Sequence, residues 1–156
     1  MYNWRFPLDK GFKRGTVFGL KDSAHPNGHR GVDFNGVPAG TPVKACGDGV
    51  VVSNKWSDVL GNTVTIQVGK WFFGYNHLVK PSPVAVGTHV KSGDVLGGVG
   101  TTGSASSGNH LHFTLSLIET GNFGGVVYDG DNFLTKMIAS EIKAKAAAAA
   151  TTEGTN

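Results

Sequence analysis

Hydrophobic and polar positions along this chain form short alternating runs broken by glycine. Asn62-Thr-Val-Thr-Ile-Gln-Val68 alternates without interruption, placing Val64, Ile66 and Val68 on one face and Thr63, Thr65 and Gln67 on the other. Gly69 and Lys70 then mark a hairpin turn, and in the return run Trp71 to Leu78 period two puts Tyr75 and His77 on a common face. His110-Leu-His-Phe-Thr-Leu115 repeats the pattern, with Leu111, Phe113 and Leu115 aimed at a core. His110 and His112 share the opposite face, about 7 Å apart at their Cα atoms. In His29-Arg-Gly-Val-Asp-Phe34, Val32 and Phe34 take the core face and Asp33 must point away from it. Val17 to Leu20 reads as a further short strand, leading into a polar loop, Lys21 to Gly28, that carries His25 as a solvated residue. Met1 to Thr16 mixes Tyr2, Trp4, Phe6 and Phe12 with Pro7 and Gly11, the pattern of an irregular arm packing on a sheet.

Two stretches echo one another. Gly40-Thr-Pro-Val-Lys-Ala45 leads into Gly49-Val-Val-Val52, and Gly87-Thr-His-Val-Lys-Ser92 leads into Val95-Leu-Gly-Gly-Val99. One β-β unit used twice predicts an antiparallel sheet whose halves pair or pack, with His89, at the echo position of Pro42, as a strand-edge surface residue. After Leu117 the pattern changes. Leu134, Met137, Ile138 and Ile142 form one helical stripe, with Asp131 as a candidate cap. The tail Lys143 to Asn156 offers alanines and small polar residues and reads as a linker. The expected fold is mainly β, an antiparallel domain with duplicated hairpin units and a short C-terminal helix, spanning residues 1–140 and followed by a tail over 141–156.

Composition narrows this picture. A chain of 156 residues fits one domain that folds without staples. The single cysteine, Cys46, excludes an internal disulfide, and its valine-rich neighbours predict a small buried residue rather than a nucleophile. Net charge is +3, but the basic residues are scattered, which argues against nucleic-acid binding. No run approaches a membrane span, and Met1 to Lys10 lacks the apolar stretch of a signal peptide.

The candidate chemistry rests on histidines. Fully extended, His29 and Asp33 would lie about 13 Å apart, too far to share an ion. With His29 in the loop, a bend at Gly31 and Asp33 opening the strand, they converge. A turn histidine beside a surface aspartate is the ordinary alternative, as a structural role is for His77 and a polar strand face for His110 and His112.

Taken together these stretches resemble peptidase family M23, the LytM/lysostaphin-type zinc metallopeptidases that cut peptide bonds in bacterial peptidoglycan. The resemblance runs in order from about Phe18 to Leu117. It includes His-x-x-x-Asp at His29 and Asp33, Gly-Thr-Pro-Val-x-Ala at Gly40 to Ala45, Asp-Gly-Val-Val at Asp48 to Val51, Tyr-x-His-Leu at Tyr75 to Leu78, Gly-x-x-Val-Lys-x-Gly-Asp at Gly87 to Asp94, and His-Leu-His-Phe at His110 to Phe113. It implies His29, Asp33 and His112 as ligands of one zinc ion, and His77 and His110 as the catalytic histidines. Three protein ligands leave tetrahedral zinc one open position for water, as a catalytic site requires. His110 is expected to take the proton of the water, and His77 to stabilise the oxyanion or protonate the leaving amine. Tyr75 and Asn109 are candidate substrate contacts.

The loop Thr102 to Asn109 is slightly longer than is common in that family, and Thr114 stands where an acidic residue is frequent. These departures touch the substrate groove, and with it the choice between a D-amino-acid cross-link and an oligoglycine bridge. The implied partner is a wall peptide, with no nucleic acid and no membrane span. A monomer is expected, acting at the bacterial cell wall as the catalytic part of a phage or bacterial lysin, with a wall-binding module beyond the linker. Two other classes stay open: a catalytically inactive M23-like domain that binds wall or regulates a partner, and a structural β module with an incidental zinc.

Overall fold

The computed structural model describes residues 1–154. Among these described residues nine strands form in chain order: β1 (Lys13–Arg14), β2 (Val32–Asn35), β3 (Pro42–Lys44), β4 (Gly49–Ser57), β5 (Gly61–Val68), β6 (Trp71–Leu78), β7 (His89–Val90), β8 (Val95–Gly98) and β9 (Leu111–Ser116). Seven of them make an antiparallel sheet in the order β1-β2-β9-β6-β5-β4-β7, and β3 and β8 pair separately. The alternating runs explain the elements directly. Val64, Ile66 and Val68 of β5, Phe73 and Tyr75 of β6, and Leu111, Phe113 and Leu115 of β9 all lie in one core with Phe34 of β2. Gly69, at φ 59°, opens the two-residue β5–β6 turn with the positive φ that such turns demand.

The two echoed units exchange partners. The first strand of each pairs with the second strand of the other, β3 with β8 and β4 with β7. His89 opens β7 at the edge of the large sheet and is exposed.

Several expectations need correction. Val17 to Leu20 is no strand but an irregular turn through Gly19, at φ 77°. Its backbone is spent on His29, with Gly19 N–H donating to His29 O at 2.8 Å and His29 N–H to Leu20 O at 2.9 Å. The helix α1 (Gly130–Glu153) runs for 24 residues and is not short. Its cap is Asp129, whose carboxylate accepts from Asn132 N–H, while Asp131 instead accepts from Nε and Nη2 of Arg14 at 2.6 and 3.0 Å. The apolar stripe buries Leu134 and packs Met137 and Ile138 on the core, but Ile142 is exposed. Lys143 to Glu153 of the tail is helical and exposed; Thr155 and Asn156 lie outside the described residues.

The N-terminal arm packs as expected. Trp4 is buried at the centre of an aromatic cluster, with ring centroids 5.2 Å from Phe133 of the helix and 5.7 Å from both Trp71 and Phe73 of β6.

Candidate metal centre and catalytic groove

The groove is built from the C-terminal end of one loop and the ends of three strands. Asp33, second in β2, is the direct cross-strand partner of His112 in β9, so the ladder itself sets their spacing. His112 Nδ1 lies 3.0 Å from Asp33 Oδ1. His29, held in the loop by the backbone bonds to Gly19 and Leu20, brings its Nε2 to 3.3 Å from the same oxygen. The three ligand atoms lie within 4.8 Å of one another. Gly31 works here by absence. A Cβ on it would sit 2.5 Å from Phe113 O and 2.8 Å from Cε1 of His112, so the His112 ring passes over this residue only because it has no side chain. Close approach, rather than an unusual bend, is the reason for glycine.

His110 precedes β9 and is tied by a single bridge to Gly100. Its Nδ1–H donates to Gly108 O at 2.8 Å, and its Nε2 stands 3.7 Å from Asp33 Oδ1. His77 is reached differently from the expectation. Leu78 pairs with Asn62 and Tyr75 with Val64, so Asn76 and His77 together oppose Thr63, a bulge on β6. His77 also takes a φ of 61°. Alternation therefore fails at this point, and Tyr75 and His77 do not share a face. The His77 ring lies 4.8 Å from that of His110 and 5.9 Å from that of His112. Tyr75, expected to touch substrate, is fully buried instead, and its hydroxyl accepts from Cys46 N–H at 2.9 Å. Cys46 is itself buried, and burial pushes its thiol up to about 12, consistent with an inert residue.

A groove of about 800 Å³ runs over these residues. The loop around His25 to Arg30 makes one wall; Val59, Leu60 and the segment Ser104 to Asn109 make the other. Asn109 is exposed on the groove wall. Sequence reasoning missed His25. It lines the groove, its ring lies edge-on 4.5 Å from that of His29, and its Nδ1–H donates to Asp22 at 2.9 Å. Its position four residues before His29 in the same loop was the available signal.

Residues 27–123 match the model of Peptidase family M23. The chain belongs to peptidase family M23. It is 38% identical over 117 residues to the peptidoglycan DD-endopeptidase ShyA of Vibrio cholerae, covering 71% of this chain and 26% of that protein. The crystallised catalytic domain of the antimicrobial peptidase lysostaphin from Staphylococcus simulans superposes with a TM-score of 0.70 at 34% identity, over 80% of this chain and 92% of that one. A zinc-containing peptidase from Vibrio cholerae superposes with a TM-score of 0.67 at 31% identity, over 74% of this chain and 36% of that one. This M23 chain spans about a quarter of the length of the curated relatives it matches.

M23 metallopeptidases are zinc-dependent, and the donor set fits that metal on chemical grounds. Donor atoms about 2.0–2.2 Å from a tetrahedral ion stand roughly 3.3–3.6 Å apart. The spacings of 3.3 and 3.0 Å around Asp33 Oδ1 are close to that. Tautomers add a second argument. His29 Nδ1–H donates to Val17 O at 3.3 Å, so its Nε2 presents a lone pair to Asp33 unless the ring is fully protonated. Across that 3.3 Å either a proton on Nε2 or a bound cation must lie between the ring and the carboxylate.

Charge follows the same geometry. Burial pushes the Asp33 carboxyl up, but the hydrogen bonds from His112 and His29 outweigh it and hold the group well below the usual carboxylate range. Burial wins at His112, on an interior strand, and its imidazole is lowered. At His29, in the loop, burial also lowers, but Asp33 prevails and the imidazole is raised. His77 is brought down to about 4, chiefly by burial and against the pull of the Thr102 carbonyl.

Proposed function

We propose that this chain is the catalytic unit of a zinc-dependent endopeptidase that cleaves peptide cross-links or stem peptides of bacterial peptidoglycan. The observation that carries the reading is the convergence, in one open groove, of three ligand atoms within 4.8 Å and two further imidazoles. We assign the hold on one ion to His29, Asp33 and His112, with a fourth position left open. The ion would supply Lewis acidity to a substrate carbonyl and make water a stronger acid near neutral pH. The rest is the work of the chain. His110 and His77 each spend Nδ1–H on a backbone carbonyl and turn a bare Nε2 to the groove. His110, nearer the Asp33 carboxylate, accepts the proton of the attacking water. His77, whose Nε2 is bare and whose cation is unfavourable in its buried site, takes that proton over from His110 and discharges it to the leaving amine. The N–H of neutral His77 points to Thr102, so an N–H toward an oxyanion is present only while Nε2 also holds a proton. Asn109 on the groove wall contacts the substrate peptide.

The setting we propose is the cell wall, with the enzyme a monomer from a phage or bacterial lysin. The exposed end of α1 then connects to a wall-binding module in a longer protein. The length of the relatives supports such a modular plan, and among the described residues no helix is long and apolar enough to cross a membrane. The test is zinc content together with loss of turbidity of a peptidoglycan suspension. His112→Ala is expected to lose both. His110→Ala and His77→Ala are expected to keep zinc and lose roughly 10²–10⁴-fold in rate. Zinc bound by a wild-type protein that leaves the suspension turbid would favour the inactive, wall-binding reading.

A further inference from the structure

The bulge that delivers His77 is held by one residue from outside β5 and β6. Thr102 accepts Asn62 N–H on its hydroxyl at 3.1 Å and donates that hydroxyl to Leu78 O at 2.7 Å. Its carbonyl accepts from His77 Nδ1 at 2.7 Å. Asn62 closes the loop by donating its side-chain amide to the same Leu78 O at 3.1 Å. These partners bracket the bulge, since Asn62 and Leu78 are the last regular pair beyond it. The hydroxyl thus fixes where the carbonyl of the same residue stands, and the carbonyl fixes the ring.

The surrounding backbone is shaped to admit Thr102. A Cβ on Gly61 would lie 2.2 Å from Thr102 Oγ1, and one on Gly103 would lie 2.3 Å from Gly61 N. Both glycines have positive φ, 69° and 87°. His77 has positive φ without being glycine, a strain that its surroundings must offset. His77 N–H donates to Leu60 O at 2.8 Å, one of the bonds that does so.

We infer that Thr102 is a positioning residue for His77: its clamp on the β5–β6 bulge locks the imidazole into the Nδ1–H tautomer and aims Nε2 at the groove. A carbonyl oxygen only accepts, so Nδ1 must carry the proton. The consequence for catalysis rests on the function proposed above, whereas the tautomer does not. Nitrogen-15 NMR of the histidine rings of the full chain, recorded without metal and with added zinc, reads it directly. Wild-type His77 is expected to show one tautomer, protonated at Nδ1; a ring protonated at Nε2, or a mixture, overturns the inference whatever any variant does. Thr102→Val removes the hydroxyl at nearly constant volume. It is expected to mix the His77 tautomers and lower the rate on a soluble wall peptide about 10- to 100-fold, the scale of a misplaced catalytic group, with zinc content unchanged. Thr102→Ser restores the hydroxyl and should recover both signals. A valine variant with wild-type tautomer and rate refutes the role. If the wild type holds the single tautomer, the variants behave as stated in NMR and no wall peptide is cut, the proposed function fails and the clamp stands.

Discussion

Glu141 offers the sharpest test of how the helix supports the domain. Its Oε2 accepts backbone N–H from Tyr2 and Asn3, each at 3.1 Å, and its Oε1 accepts from Trp4 at 2.6 Å. Three successive N–H groups turned to one carboxylate form an anion-binding concavity, and Asn3 adopts a φ of 58° to make it. Trp4, the third donor, is the residue that joins the arm to Phe133 and Phe73 in the core. A hydrogen bond to a charged group is worth about 1.5–3 kcal/mol when sheltered. Only the Trp4 bond is partly sheltered, and the other two face solvent. Counting about 1.5 for it and about 0.5 for each exposed bond gives roughly 2.5 kcal/mol for the carboxylate. In a domain of this size that lowers Tm by about 5–10 °C. Glu141→Ala should show this drop in thermal melting, and Glu141→Gln, which keeps one acceptor oxygen, a smaller one. Truncation after Ser140 should match the alanine variant, whereas truncation after Lys145 should move Tm by no more than about 2 °C, because the described residues it removes are all exposed. All forms should still hydrolyse a soluble cross-linked peptide well below Tm, since every proposed site residue precedes Phe113. A Glu141→Ala protein melting within about 1 °C of wild type would show that water satisfies the three N–H groups equally well, and the reasoning would fall. We therefore propose a domain boundary beyond Glu141, past the residue 140 expected from the sequence.

Two further outcomes follow from the site. His77 titrates at about 4 when folded, and the ordinary imidazole value is about 6.5. Between these values the unfolded chain binds more protons, so the stability of metal-free protein should fall as pH drops from about 6.5 toward 4, by about 3 kcal/mol from this group. Lowered His112 adds to the loss and raised His29 offsets part of it; melting in chelator across this range should show the slope, and His77→Gln should flatten it, while an unchanged slope in that variant would refute the assignment. Gly31→Ala should cost about 1–3 kcal/mol by pressing on Phe113 O and the His112 ring. It should also weaken zinc retention in dialysis against a chelator, and wild-type melting with wild-type retention would contradict the close-approach role.

Period-two alternation was legible wherever a strand runs regularly, and that covers β5, β9 and the core side of β2. It recovered the facing of His110, His112 and Asp33 because these lie on or beside unbroken ladder. It failed at His77 because a bulge is a property of the pair, created here by how β5 and the Thr102 segment meet β6, and nothing in Tyr75-Asn-His77 announces it. The misplacement of Tyr75 is the same error seen from the other side. Asp131 was a reasonable cap by residue type, but Asp129 lies two residues earlier and Arg14 claims Asp131 from a distant strand. Glu141 was invisible for a related reason: its partners are backbone groups 137 to 139 residues away, and backbone N–H groups leave no mark in a sequence.

The same distinction divides the site into a stiff part and an adjustable part. Asp33 and His112 are cross-strand partners inside the large sheet, so their separation can change only if the β2–β9 ladder changes. His29, His77 and His110 reach them from a loop, a bulge and an isolated bridge, each held by a few bonds to irregular segments outside the β2–β9 ladder. Remodelling those segments would therefore shift His77 and His110, the pair we propose for proton transfer, before it disturbed the Asp33–His112 pair. Loss of rate with retained metal is the failure such an architecture favours. An M23-like domain that has turned to binding alone is thus reached more readily through the segments around Thr102 and Gly108 than through the sheet.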